Sequence, residues 1–135
     1  MKKILRMVVL ILSILILFYL QFGRDVSAKA TTVMSFNNGY VEDIDIVANK
    51  LFILDKEKFT EKMVQKCKDN NFTDILFSYD IRGYPSELNL SIYNNELARR
   101  YGIRAFQVEY KQFAGEEHEY NIKDNPDKFK MKITE

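Results

Sequence analysis

Cys67 and His118 are the only cysteine and the only histidine in the 135-residue chain, and together they are the residue types of a thiol nucleophile and its imidazole base. The spacing argues against that chemistry. Cys67 recurs with Phe59, Met63 and Val64 on one apolar arc of a helical pattern, which is where a buried, unreactive thiol sits. His118 lies inside Glu116-Glu117-His118-Glu119, a run that raises a metal site. A metal needs three or four ligands that converge, whereas neighbours on one loop point apart. The run reads as a solvated acidic loop, and neither a metal nor a cofactor is expected.

Paired acids could cleave a glycosidic bond, one carboxyl protonating the leaving group while the other attacks or activates water. Asp43, Asp45, Asp80 and Glu87 are the candidates, with Asp80 and Glu87 beside an expected turn as the first choice. These residue types are also what outward strand positions and turns normally hold. A phosphate-cradling glycine loop and a Gly-x-Ser-x-Gly nucleophile elbow are both missing from a chain with five glycines.

Three cationic or aromatic sets point to binding instead. Lys58, Lys62 and Lys66 recur every fourth residue and could meet an anionic surface, although Glu57 and Glu61 make a solvated helix face the simpler reading. Lys128, Lys130 and Lys132 alternate with Phe129, Met131 and Ile133. Such a strand is either an edge protected by its lysines or an edge to which a partner strand adds, and this row is the candidate partner surface. Tyr79, Tyr84, Tyr93, Tyr101 and Tyr110 suit peptide or sugar contacts as well as core and rim packing.

Elements must position these residues. Asp55 is an N-cap, with Glu57 in the first turn and Leu54 and Phe59 spaced as a hydrophobic staple, for a helix that runs to about Asp69 and ends at Asn70-Asn71. Tyr40 to Ala48 alternates as a strand, Ile44, Ile46 and Ala48 facing one way and Asp43, Asp45 and Val47 the other. Leu51 to Leu54 extends that strand past a bulge or forms a separate buried segment. Ile75 to Ile81 and Leu88 to Ile92 both alternate around Arg82-Gly83-Tyr84-Pro85-Ser86, the pattern of a β-hairpin. A short helix over Glu96–Tyr101, capped by Asn94 or Asn95, buries Leu97 and Tyr101 and stops at Gly102. Strands follow at Arg104–Gln112 and Lys128–Ile133. The order predicts an α+β fold: two helices on one face of a mainly antiparallel sheet of about four to five strands, close to a split-βαβ plan.

All of this lies behind an apolar opening. Met7 to Leu20 carries no charge and follows Lys2, Lys3 and Arg6, the basic and apolar regions of an export signal whose N-terminus stays in the cytoplasm. Small residues end two frames for signal peptidase, at Ala28 and at Ala30. Residues 7–23 also reach the roughly 17 residues that can just span a membrane. Cleavage and anchoring both remain open, the small-residue frames tipping toward cleavage. Residues 1–30 are thus expected to be a signal peptide or signal anchor, 31–39 a linker and 40–135 one domain.

The first thirty residues hold five of the 20 basic and one of the 19 acidic residues, leaving 15 against 18 and a net charge of −3 beyond them. That balance gives no footprint for nucleic acid. A single cysteine cannot close an internal disulfide, so the exported part depends on its core. The function expected from these features is an exported or membrane-tethered, non-catalytic domain that binds a protein or an envelope component. The alternatives are a small secreted hydrolase with a carboxylate pair and a single-span subunit of a membrane complex.

Overall fold

The computed structural model describes residues 1–36, 38–113 and 120–135. Its elements run α1 (Lys2–Phe22), β1 (Ser27–Phe36), β2 (Gly39–Val47), α2 (Lys56–Asp69), α3 (Tyr79–Arg82), β3 (Glu87–Tyr93), α4 (Glu96–Arg100), β4 (Phe106–Gln112) and β5 (Phe129–Thr134), with a 3₁₀ turn at Pro126–Lys128 before β5. The class is α+β with an N-terminal apolar helix, as the patterning predicts. α1 has 21 residues and is long and apolar enough to cross a membrane, which fits a signal sequence or an anchor.

The five strands form one sheet in the order β1-β2-β3-β4-β5. Only β2 and β3 are parallel; the other three pairs are antiparallel. A parallel pair needs a crossover of a dozen or more residues, and the chain from Ala48 to Ser86, with α2 inside it, supplies one. Because β2 and β3 are direct neighbours, the crossover is a plain βαβ unit and not the split form, in which another strand would lie between them.

α2 forms as its sequence dictates. The Asp55 carboxylate accepts the Lys58 backbone N–H at 3.1 Å, and Asn70 closes the helix in the left-handed conformation at φ 53. Phe59, Met63, Val64 and Cys67 are buried in one cluster with Ile44, Ile46, Leu88, Leu90, Ile92, Phe106 and Val108 of the sheet. Phe59 meets Phe106 edge to face at 6.4 Å between ring centres, an arrangement that suits the aromatic quadrupole.

Several expectations are overturned. The segment 31–39 is no linker, because β1 covers most of it and pairs with β2 as far as Phe36 opposite Gly39. An outer strand with mostly exposed side chains needs little hydrophobicity, so it leaves little periodic signal. Leu51–Leu54 neither extends β2 nor forms a buried segment. The Ala48 and Lys50 N–H groups bond to Tyr93 O and Asn94 O, and Asn49 then turns the chain with φ 54, so residues 51–54 have run past the end of the sheet. Leu54 is left 77% exposed instead of closing a staple on Phe59.

The expected hairpin is absent as well. The position beside β2 is taken by β3, so residues 71–78 lack the strand partner that a hairpin would give them. Asn70 replaces that partner: its Nδ2 donates to Phe77 O at 2.9 Å and its Oδ1 accepts Phe77 N–H at 2.8 Å. Phe72 and Phe77 enter the core, while Leu76 and Ile81 face solvent. α4 starts at Asn95, whose side chain accepts Ala98 N–H at 2.8 Å, but it contributes no buried side chain, and Leu97 and Tyr101 are exposed. α2 is therefore the helix that covers the sheet, in place of the expected two.

Candidate functional site

The strand register sorts the loops into two ends. Ser27 pairs with Val47 and Val47 with Tyr93, while Phe106 faces Ile92 and Thr134 faces Gln107. The end of α1, the segment 48–55, the segment 94–105 and the C-terminus therefore share one end, called the anchor end here. Phe36, Gly39, Glu87, Gln112 and Phe129 mark the far end.

At the anchor end Gln21 joins α1 to the domain. Only 6% of its surface is exposed, although its helix is otherwise almost wholly uncovered. Its Nε2 donates to Phe52 O at 2.8 Å, and its Oε1 accepts the N–H groups of Leu51 at 2.9 Å and Phe52 at 3.2 Å. Lys50 Nζ donates to Gln21 O at 3.1 Å and lies 5.6 Å from the Phe22 ring centre. α1 stops at Gly23, where a Cβ would come within 2.4 Å of the Tyr19 ring, so a larger residue there would require that exposed ring to move. Past the helix, Asn49 Nδ2 donates to Asp25 O at 2.7 Å.

The expected cleavage residues lie inside β1. Ala28 is fully buried, and its N–H donates to Asp74 Oδ1 at 3.1 Å. The register slips between Ala28 and Ala30, so Lys29 is the extra residue of a bulge, and its ammonium pairs with Asp74 Oδ2 at 3.7 Å.

At the far end a carboxylate is buried. Glu42 is 5% exposed on the same face of β2 as Ile44 and Ile46, and its Oε2 has no hydrogen-bond partner among the described residues. Burial lifts its pKa from 4.5 to about 7 against the opposing pull of the Arg82 guanidinium. Nearby, Tyr40 donates its hydroxyl to Gly83 O at 2.7 Å, and burial, reinforced by Glu42, pushes its pKa up to about 12. Tyr79 stacks on Phe77 at 5.3 Å and packs on Tyr84 at 4.7 Å, yet its buried hydroxyl also lacks a partner among the described residues; its pKa too is raised by burial first. Sequence reasoning missed Glu42, although the signal was there: it shares the period-two parity of Ile44 and Ile46.

The sequence candidates scatter. Burial raises the Cys67 thiol pKa, the direction of an inert thiol. His118 and Glu116 to Glu119 lie outside the described residues. Among the described residues no group of three or more His, Cys, Asp or Glu side chains is placed to hold a metal ion. Asp80 is exposed on α3, and Glu87 is half-buried at the first residue of β3, so the two sit on separate elements. Asp43 and Asp45 are engaged on the open face of the sheet: Asp43 accepts Asn89 Nδ2 at 2.9 Å, and Asp45 pairs with Arg99 at 3.4 Å. Lys130 and Lys132 are exposed on β5, but Lys128 belongs to the preceding turn with its ammonium over the Tyr120 ring at 5.4 Å. The expected row of three lysines is therefore a strand pair plus a turn residue. Glu42 itself is almost closed to solvent, so among the described residues the far end offers a buried group that can hold a proton.

Comparison of the chain with protein families, curated proteins and solved structures finds no match.

Proposed function

We propose that this protein is a membrane-tethered, extracytoplasmic, non-catalytic domain that binds a protein or an envelope component. In this reading α1 stays in the bilayer as a single span, with Lys2, Lys3 and Arg6 on the cytoplasmic side and the sheet on the other. The observation that carries the tether is the Gln21 junction. A signal that is to be discarded gains nothing from a buried side chain with three hydrogen bonds into the loop 50–54. Removal after Ala28 or Ala30 would also strip β1 of its first residues and empty the place of Ala28 in the core.

Binding is supported by the surface of β5. This strand pairs with β4 alone, and Lys130 and Lys132 stand near Lys111 on the open face, with Lys130 directly opposite Lys111. Glu109 ion-pairs Lys111 at 3.2 Å and stands opposite Lys132, which leaves an excess of positive charge on this face that an acidic partner would offset.

The tether is tested by mass spectrometry of the chain recovered from cell membranes. An intact N-terminus that resists alkaline extraction is expected, and a soluble chain starting at Lys29 or Thr31 would sink the tether. Binding is tested by crosslinking the full chain in its membranes. A partner lost with a Lys130→Glu, Lys132→Glu double variant is expected, whereas purified protein that hydrolyses envelope polysaccharide would overturn the non-catalytic reading.

A further inference from the structure

We infer that the anchor end of the domain is a membrane-contacting face, seated on the outer surface of the bilayer that α1 crosses. The inference rests on the retained anchor proposed above and adds what covers the domain's exposed apolar residues. Leu51, Phe52 and Leu54 in the segment 48–55, Leu97 on α4 and Tyr101 and Ile103 in the loop after it are all exposed; Tyr101 reaches 74% and Ile103 66%. Both stretches lie at the sheet end from which α1 departs.

Depth follows from the Gln21 bonds. α1 is about 31 Å long at 1.5 Å per residue, close to the roughly 30 Å of a hydrocarbon core. With Lys2 and Lys3 at one surface, Gln21 and Phe22 reach the other. The Leu51 and Phe52 N–H groups bond to the Gln21 side chain, which holds that loop within a side chain's length of the headgroup layer. Lys50 beside it, the exposed Arg104, and Arg100 at the end of α4, which is 72% exposed although 3.6 Å from Glu96, suit the same layer, where apolar stems point inward and cationic tips meet lipid phosphates. Tyrosine is enriched at that depth for the same reason. Continuity with the span, the apolar tips and the basic flank together select a lipid surface as the occupant.

The test uses the full chain in phosphatidylcholine vesicles, with and without phosphatidylglycerol. Cysteines introduced singly as Leu17→Cys, Leu54→Cys, Ile103→Cys and Ile81→Cys carry an environment-sensitive fluorophore. The unsubstituted chain, whose Cys67 is buried, controls for background labelling. Lipids spin-labelled near the head of the acyl chain then quench whichever probes reach that depth. Quenching at Leu54 and Ile103 is expected to exceed that at Ile81 roughly twofold or more and to deepen with phosphatidylglycerol. If Leu17 is quenched while Leu54 and Ile103 match Ile81, the membrane face is wrong and the anchor stands. If Leu17 is not quenched, the anchor falls and the membrane face falls with it.

Discussion

Among the described residues each end of the sheet buries one long polar side chain, Gln21 at the anchor end and Glu42 at the far end, and the two are handled in opposite ways. Gln21 is neutral and uses both its oxygen and its nitrogen on the backbone of Leu51 and Phe52. Glu42 ionises in water, yet one of its oxygens is buried with no partner among the described residues. A satisfied buried amide adds stability and fixes geometry, whereas an unsatisfied carboxyl costs free energy that the protein limits by keeping a proton. The anchor end is built to hold a position, and the far end carries a group whose charge depends on pH.

The largest effect that would sharpen this contrast concerns Glu42. Because burial lifts its carboxyl from 4.5 to about 7, the folded chain keeps a proton that the unfolded chain releases between those values. Stability is full below about pH 4.5 and is lost as the pH rises through about 7, by at most about 3.5 kcal/mol at roughly 1.4 kcal/mol per unit. Glu42→Gln should remove that decline and be the more stable protein near pH 8, as read from urea midpoints in detergent; equal pH slopes for both proteins would break the comparison.

Next comes Gln21→Ala, which strands the Leu51 and Phe52 N–H groups and should cost about 1–3 kcal/mol. Hydrogen exchange at those amides should accelerate while α2 stays protected. A smaller gain is expected from Tyr79→Phe, which deletes an unpartnered buried hydroxyl and keeps the ring stacked between Phe77 and Tyr84; thermal unfolding should show it neutral or stabilised by about 1 kcal/mol. The smallest change is predicted for Leu54→Ser in detergent solution, within about 0.5 kcal/mol, because a side chain 77% exposed contributes little to the core.

Legibility followed the range of the forces involved. The two ends of α2 were readable because Asp55 and Asn70 act on backbone groups within a few residues of themselves. The strands β2, β4 and β5 were readable because each buries one face, which imprints a period of two. The same period misled at residues 75–81, where Asn70 and the crowded centre of the sheet turned an alternating stretch into a loop and a helical turn. It also understated β1, an outer strand that pairs through its backbone with few apolar side chains.

Of the two buried polar residues, parity along β2 marked Glu42 as facing the core, but nothing local could show that its oxygen goes unpaired. Gln21 left no signal at all, since its partners lie about thirty residues away. The apolar helix, the α+β class and the helix that covers the sheet are legible from near neighbours in the chain, because propensity, capping and periodicity act over a few residues. The strand order, the place of Ala28 inside the sheet and the fastening of α1 to the domain emerge in the folded chain alone, because they depend on hydrogen bonds between segments far apart in sequence.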